Sequence, residues 1–293
     1  MRLRIAAVFA VGAVLIGALG WPLVSAPTEF DVVSVAAGSV SFAGFVSLAF
    51  LGFLAGLSAY FVAWPYGREI AVIAAPAGLA VLSLRSGSMA DFIRYSPTVQ
   101  QRQALFAALR WEPLLWLAVV AAGLAGALLA GRIAHKTKGP QPPTEQKSRS
   151  NDLINAGIAL GASVLIAQFC IGILARDVRM YDRQLGPIEG QPSGAQIAFA
   201  LLVGFGLAAF LCKVFLNTGY LWPAMASAAI TAFATAIYLK QDVLGHLSLY
   251  WPAAFFSNAG TSILPVQMVS FGTLGAVAGY WLGVKHRYWR KNG

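Results

Sequence analysis

Three histidines and two cysteines are the residues of this 293-residue chain best suited to acid–base, nucleophilic or metal chemistry. His246 follows Asp242 by one helical turn, a spacing that could couple an imidazole to a carboxylate as a general base. His135 and His286 stand in basic segments, where they read as solvated residues, and the three are too scattered for a metal site. Cys170 and Cys212 sit inside apolar runs and read as small buried hydrophobes; the topology below places them near opposite faces, so no disulfide is expected. HExxH, GxSxG, Walker A and CxxC patterns are all missing from the sequence. We therefore assign no catalytic residue and no metal ligand, expect no cofactor, and regard an enzymatic role as the weakest reading.

A second group could bind rather than react. Arg85 and Lys240 each follow a leucine at the end of an apolar run, 155 residues apart, and Tyr95 and Tyr250 follow at the same offset. Two such cations could hold a phosphate-bearing lipid headgroup. The plainer reading is interfacial anchoring by Arg and Tyr. The cluster Arg176, Asp177, Arg179, Asp182 and Arg183 reads as local pairs on a frayed helix end.

The elements that must position these groups are membrane spans. Hydrophobic residues make up 58% of the chain and charged residues 11%, against about 25% charged in soluble domains. Apolar runs near the ~20 residues that cross the hydrocarbon core recur throughout, and the alternating strands of a barrel do not appear. The expected fold is all-α, a polytopic membrane protein of about eight transmembrane helices. The spans are Ile5–Val24, Val40–Trp64, Ile70–Leu84, Pro113–Ala134, Leu153–Ala175, Ala195–Leu216, Tyr220–Leu239 and Val266–Val284. The first run exceeds a signal-peptide core and reads as a retained span. The third is the weakest, because fifteen residues reach only ~22 Å as helix; it must recruit Tyr66 and Gly67. Leu105, Phe106 and Leu109 recur at helical spacing and suggest an interfacial amphipathic helix before the fourth span.

Residues 135–152 (HKTKGPQPPTEQKSRSND) form the longest polar stretch. They divide the chain into a four-helix half, 1–134, a cytoplasmic linker, and a second half, 153–293. With both termini inside, the inner segments hold thirteen of the 21 basic residues and three of the 11 acidic ones, so the whole net charge of +10 lies on that side. This is the positive-inside pattern. It argues for the plasma (inner) membrane with cytoplasmic termini, and against reading the basic balance as nucleic-acid binding.

The halves also resemble each other. Pro113 and Pro265 open the fourth and eighth spans, and within them Gly123, Ala127 and Gly131 fall opposite Gly275, Gly279 and Gly283. Both stripes are small-xxx-small ridges that permit close helix packing. An even span number per half makes the repeat parallel, and we expect the halves to pack through the fourth and eighth helices. No acidic, basic or histidine residue lies at mid-span, where ion-coupled pumps keep them. Gln168, Asn217, Thr231 and Thr235 could line a path or simply bond between helices. The expected role is a non-enzymatic membrane subunit or scaffold, with lipids and other membrane subunits as partners. The alternative is a transporter or lipid-handling protein with an outer anionic-headgroup site.

Overall fold

A computed structural model describes residues 1–24, 32–35, 38, 40–135, 149–251 and 255–292. The chain opens with α1 (Arg2–Gly12), continued by a π-helical turn (Ala13–Ala18), and α2 (Trp21–Val24). Next come α3 (Phe42–Val62), α4 (Gly67–Ile70), a 3-10 turn and α5 (Ala74–Arg85). The short α6 (Met89–Tyr95) and α7 (Val99–Leu109) lead into α8 (Glu112–His135). The second half has α9 (Arg149–Leu174), the hairpin β1 (Arg179–Asp182) and β2 (Gly186–Gly190), and α10 (Gly194–Leu211) with a π turn to Leu216. It ends with α11 (Leu221–Tyr238), α12 (Gln241–Tyr250), β3 (Phe255–Phe256) and α13 (Pro265–Asn292).

Among the described residues, six helical segments are long and apolar enough to cross a membrane: Phe42–Val62, Gly67–Arg85, Val99–Ala134, Leu153–Leu174, Gly194–Leu216 and Leu221–Tyr238. Large apolar side chains such as Phe50, Leu165, Phe169 and Phe233 are well exposed along them. In water such a surface would drive association; in a bilayer it faces lipid. The chain is a multi-pass, predominantly helical membrane protein.

The weak third run does recruit Gly67, through α4 and the 3-10 turn. Its composition has a physical reason. In Gly67–Arg85, 72% of the most apolar window is buried inside the protein, against 28% in Leu153–Leu174. A helix surrounded by other helices has no lipid-facing side to fill, so Ala, Gly and Pro suffice. They also let neighbours close in: a side chain on Gly78 would strike the main chain of Gly12 on α1.

α3 runs beside α8, and α10 beside α13, each pair in parallel. α1 packs on α3 and α5; α9 packs on α10 and α11; α5 meets α13, and α11 meets α8. The bundle therefore has one end carrying the termini and an opposite end carrying α6, α7, α12 and the strands, here termed the hairpin end. Polar side chains set the helix starts. Ser41 Oγ accepts from Gly44 N–H at 3.0 Å, Ser193 Oγ from Gln196 N–H at 3.3 Å, and Thr98 forms a reciprocal capping box with Gln101.

Three expectations are revised. The charged segment after α9 is no frayed helix: Arg179–Asp182 pairs antiparallel with Gly186–Gly190, and β2 then pairs with β3. The amphipathic helix α7 does not lie free on a lipid surface. Its apolar side is covered by the second half, with the Phe106 and Tyr238 rings 4.2 Å apart. α8 and α13 do meet, but their glycine ridges turn inward to α3 and α10 rather than to each other. Residues 136–148 of the expected linker lie outside the described residues.

Candidate functional site at the hairpin end

Asp182, at the end of β1, is the centre of a polar cluster. Its carboxylate accepts from the Trp251 indole N–H and from His246 Nε2, both at 2.9 Å, and from the backbone N–H groups of Gln184 and Leu185. These donors, the Trp251 N–H foremost and His246 next, hold its pKa well below the usual carboxylate range. An ionised carboxylate only accepts, so His246 Nε2 is the donor of this hydrogen bond. The imidazole also stacks on Tyr250, ring centroids 4.6 Å apart.

The partner of His246 is thus Asp182, reached across 64 residues, and not Asp242 one turn away. Asp242 lies in the first turn of α12, while the hairpin brings Asp182 over the helix from outside. A carboxylate–imidazole pair can orient a base, but a nucleophile must be in reach. Among the described residues no hydroxyl or thiol is hydrogen-bonded to His246. The visible signal for Asp182 was its turn. An Asp accepting the amides two and three residues on, closed by Gly186 at φ +78°, is tight-turn chemistry.

Three further polar residues fasten this end. Gln191 donates to the Ser262 carbonyl at 3.0 Å and accepts from Ala90 N–H at 3.1 Å, joining the second half's loop to the first half's α6. Glu112, only 1% exposed, accepts from Ser34 Oγ at 2.5 Å, Val35 N–H at 3.2 Å and the Trp116 indole at 2.9 Å. Glu189 pairs with Arg176 at 3.2 Å; burial pushes its pKa up, and the positive charges of Arg176 and Arg179 oppose that shift.

The proposed headgroup residues are placed differently from one another. Arg85 lies over the Trp21 ring at 4.4 Å, so its guanidinium already has a protein partner. Lys240 is the exposed N-cap residue of α12. Tyr95 is exposed at the end of α6, and Tyr250 at the end of α12 lies against His246.

The packing residues are better defined. Side chains on Gly56 and on Gly279 would strike the main chain of Gly123 and Gly206, respectively. Gly123 faces Gly52 and Ala75, Gly275 faces Leu202, Gly131 faces the Tyr60 ring, and Gly283 faces Lys213. Ala127 is buried. Cys170 and Cys212 are free and buried. Ser227, Thr231 and Thr235 bond to carbonyls of their own helix, and Asn217 Oδ1 accepts from Lys213 and Arg287 at the termini end. Among the described residues no three His, Cys, Asp or Glu side chains converge as a metal site. No protein-family model matches the chain, and no curated protein or solved structure shows significant similarity to it.

Proposed function

We propose that the chain is a non-enzymatic integral membrane component, a subunit or scaffold, whose eight helices cross the membrane as two parallel four-helix halves. The observation that carries this is how the polar groups are used. Asp182 and His246 fasten the hairpin to α12, Glu112 ties a loop to a span, and Gln191 joins one half to the other. The count of eight rests on α1 and α13, which lie in the bundle alongside the six more apolar segments.

Support for the repeat comes from matched contacts. Gly123 faces Gly52 and Gly56 on α3, while Gly275 faces Leu202 and Gly206 on α10. The matched pairs are displaced by 150 residues on α3 and α10 and by 152 on α8 and α13. The first and second helices of each half meet the others in the same pattern. Basic residues at the termini end fit the plasma (inner) membrane with cytoplasmic termini.

Mild detergent extraction of the tagged protein followed by native mass spectrometry tests the proposal. Stoichiometric partner chains support it; a lone chain that turns over a substrate removes it. The transporter or lipid-handling alternative, with Arg85 and Lys240 holding an anionic headgroup, is weakened by the stacking of Arg85 on Trp21.

A further inference from the structure

The two halves do not close completely where α5 meets α10 and α13. At the hairpin end of this seam is a cleft of about 280 Å³, lined by Ser83, Ser86, Ser88, Gln191, Gly194 and Gln267 among others, with no charged side chain in its wall. Below it lies a groove of about 330 Å³ whose walls include Phe9, Val81, Leu202, Phe271 and Ala278. Leu84 lines both, so cleft and groove lie side by side on either face of this residue. Ala278 and Leu84 are exposed, so the groove opens sideways toward lipid. From Gln267 to Trp281, which also lines the groove, α13 descends roughly 21 Å at 1.5 Å per residue. That depth exceeds half of a ~30 Å hydrocarbon core.

The cleft offers donors. Gln267 is only 5% exposed; its Oε1 accepts from Leu264 N–H, and among the described residues its Nε2 has no partner. The amide nitrogen is thus left to give a hydrogen bond into the cleft that Gln267 lines. Ser86 Oγ accepts from Val33 N–H, which leaves its own proton to give. Gly194 stands in the first turn of α10, whose leading N–H groups have no helical acceptor. Donors without cations suit neutral oxygen acceptors.

We infer that the seam binds a membrane amphiphile, one chain in the apolar groove and an uncharged, oxygen-rich head such as a glycerol ester in the polar cleft. Neither Arg85 nor Lys240 lines this site, and it does not depend on the scaffold reading.

The test uses the full chain in phosphatidylcholine nanodiscs with a diacylglycerol probe carrying a photoreactive diazirine on one acyl chain. Peptide mass spectrometry should place the label on α13 between Phe271 and Trp281 and on the facing walls. Excess unlabelled diacylglycerol should remove it, and phosphatidic acid of the same chains should compete far less well. Ala278→Trp, at an exposed position, should fill the groove and lower labelling by about tenfold, a change worth one decade in affinity. Leu202→Trp on the facing wall gives the same reading if the first variant does not extract as one species. Gln267→Leu should weaken competition by about fivefold, the worth of one hydrogen bond. Labelling spread evenly over the lipid-facing surface and unmoved by either tryptophan would overturn the inference. So would phosphatidic acid competing as well as diacylglycerol.

Discussion

Gly206 and Gly279 meet through bare main chain: a side chain on Gly279 would run into the carbonyl oxygen and α-carbon of Gly206. Backbone atoms cannot step aside as a side-chain tip can. Gly279→Leu should therefore cost about 3 kcal/mol, the upper range of overpacking, and lower the melting temperature in detergent. Gly172→Leu on α9, where nothing lies within 4 Å, is the control and should leave it unchanged. Equal melting of the two variants would show that α10 and α13 are not held by this contact.

The Asp182 clasp sets a pH dependence with a definite sign. Its folded pKa lies below the ordinary 3.8, so it stabilises the fold above that pH and the contribution fades as pH falls toward the folded value. Glu189 acts in the opposite sense. Its pKa is raised above 4.5, so the folded state holds the proton longer, and stability declines as pH rises from 4.5 through the folded value. Thermal unfolding followed across this range should lose the second effect in Glu189→Gln and the first in Asp182→Asn. Profiles identical to the parent in both variants would remove the assignment.

Arg85 and Lys240 each follow a leucine at the end of an apolar run, but their environments differ. Arg85→Ala gives up its contact with Trp21 and should cost about 0.5–1 kcal/mol. Lys240→Ala should leave stability within experimental error. If an anionic lipid instead stabilises the parent and neither variant, these two residues hold a headgroup after all, and melting with and without phosphatidic acid reads this directly.

Gln191 links Ala90 of the first half to Ser262 of the second. Gln191→Ala leaves a buried carbonyl and an amide without their partner and should destabilise by roughly 1–3 kcal/mol. Hydrogen exchange at the start of α6 should rise with it. Unchanged exchange there would mean that the halves are held at this end by other contacts.

The spans were legible because their signal is local: a long apolar run has few other meanings. Gly123 and Gly275 were legible as close-packing residues for the same reason, yet their partners were not. A stripe of small residues records that a backbone comes near without recording which one, and here α3 and α10 take the places expected for α13 and α8. The weakness of the third span was read as shortness, whereas it reflects burial among neighbouring helices. His246 illustrates the limit most sharply. Asp242 was the nearer carboxylate in sequence, but the partner arrives on the hairpin Arg179–Gly190, whose strands of four and five residues are too short to alternate visibly.

The covering of α7 by the second half has a consequence in time as well as space. Phe106 is fully buried, and Arg102 beside it is 3% exposed, both near Tyr238 of α11. Synthesis delivers α7 more than a hundred residues before that cover exists. At ribosomal speeds of about 5–20 residues per second, the nascent first half waits several seconds or more with an aromatic and an arginine uncovered at the membrane surface. The buried face of α7 is thus complete only once α11 has been made.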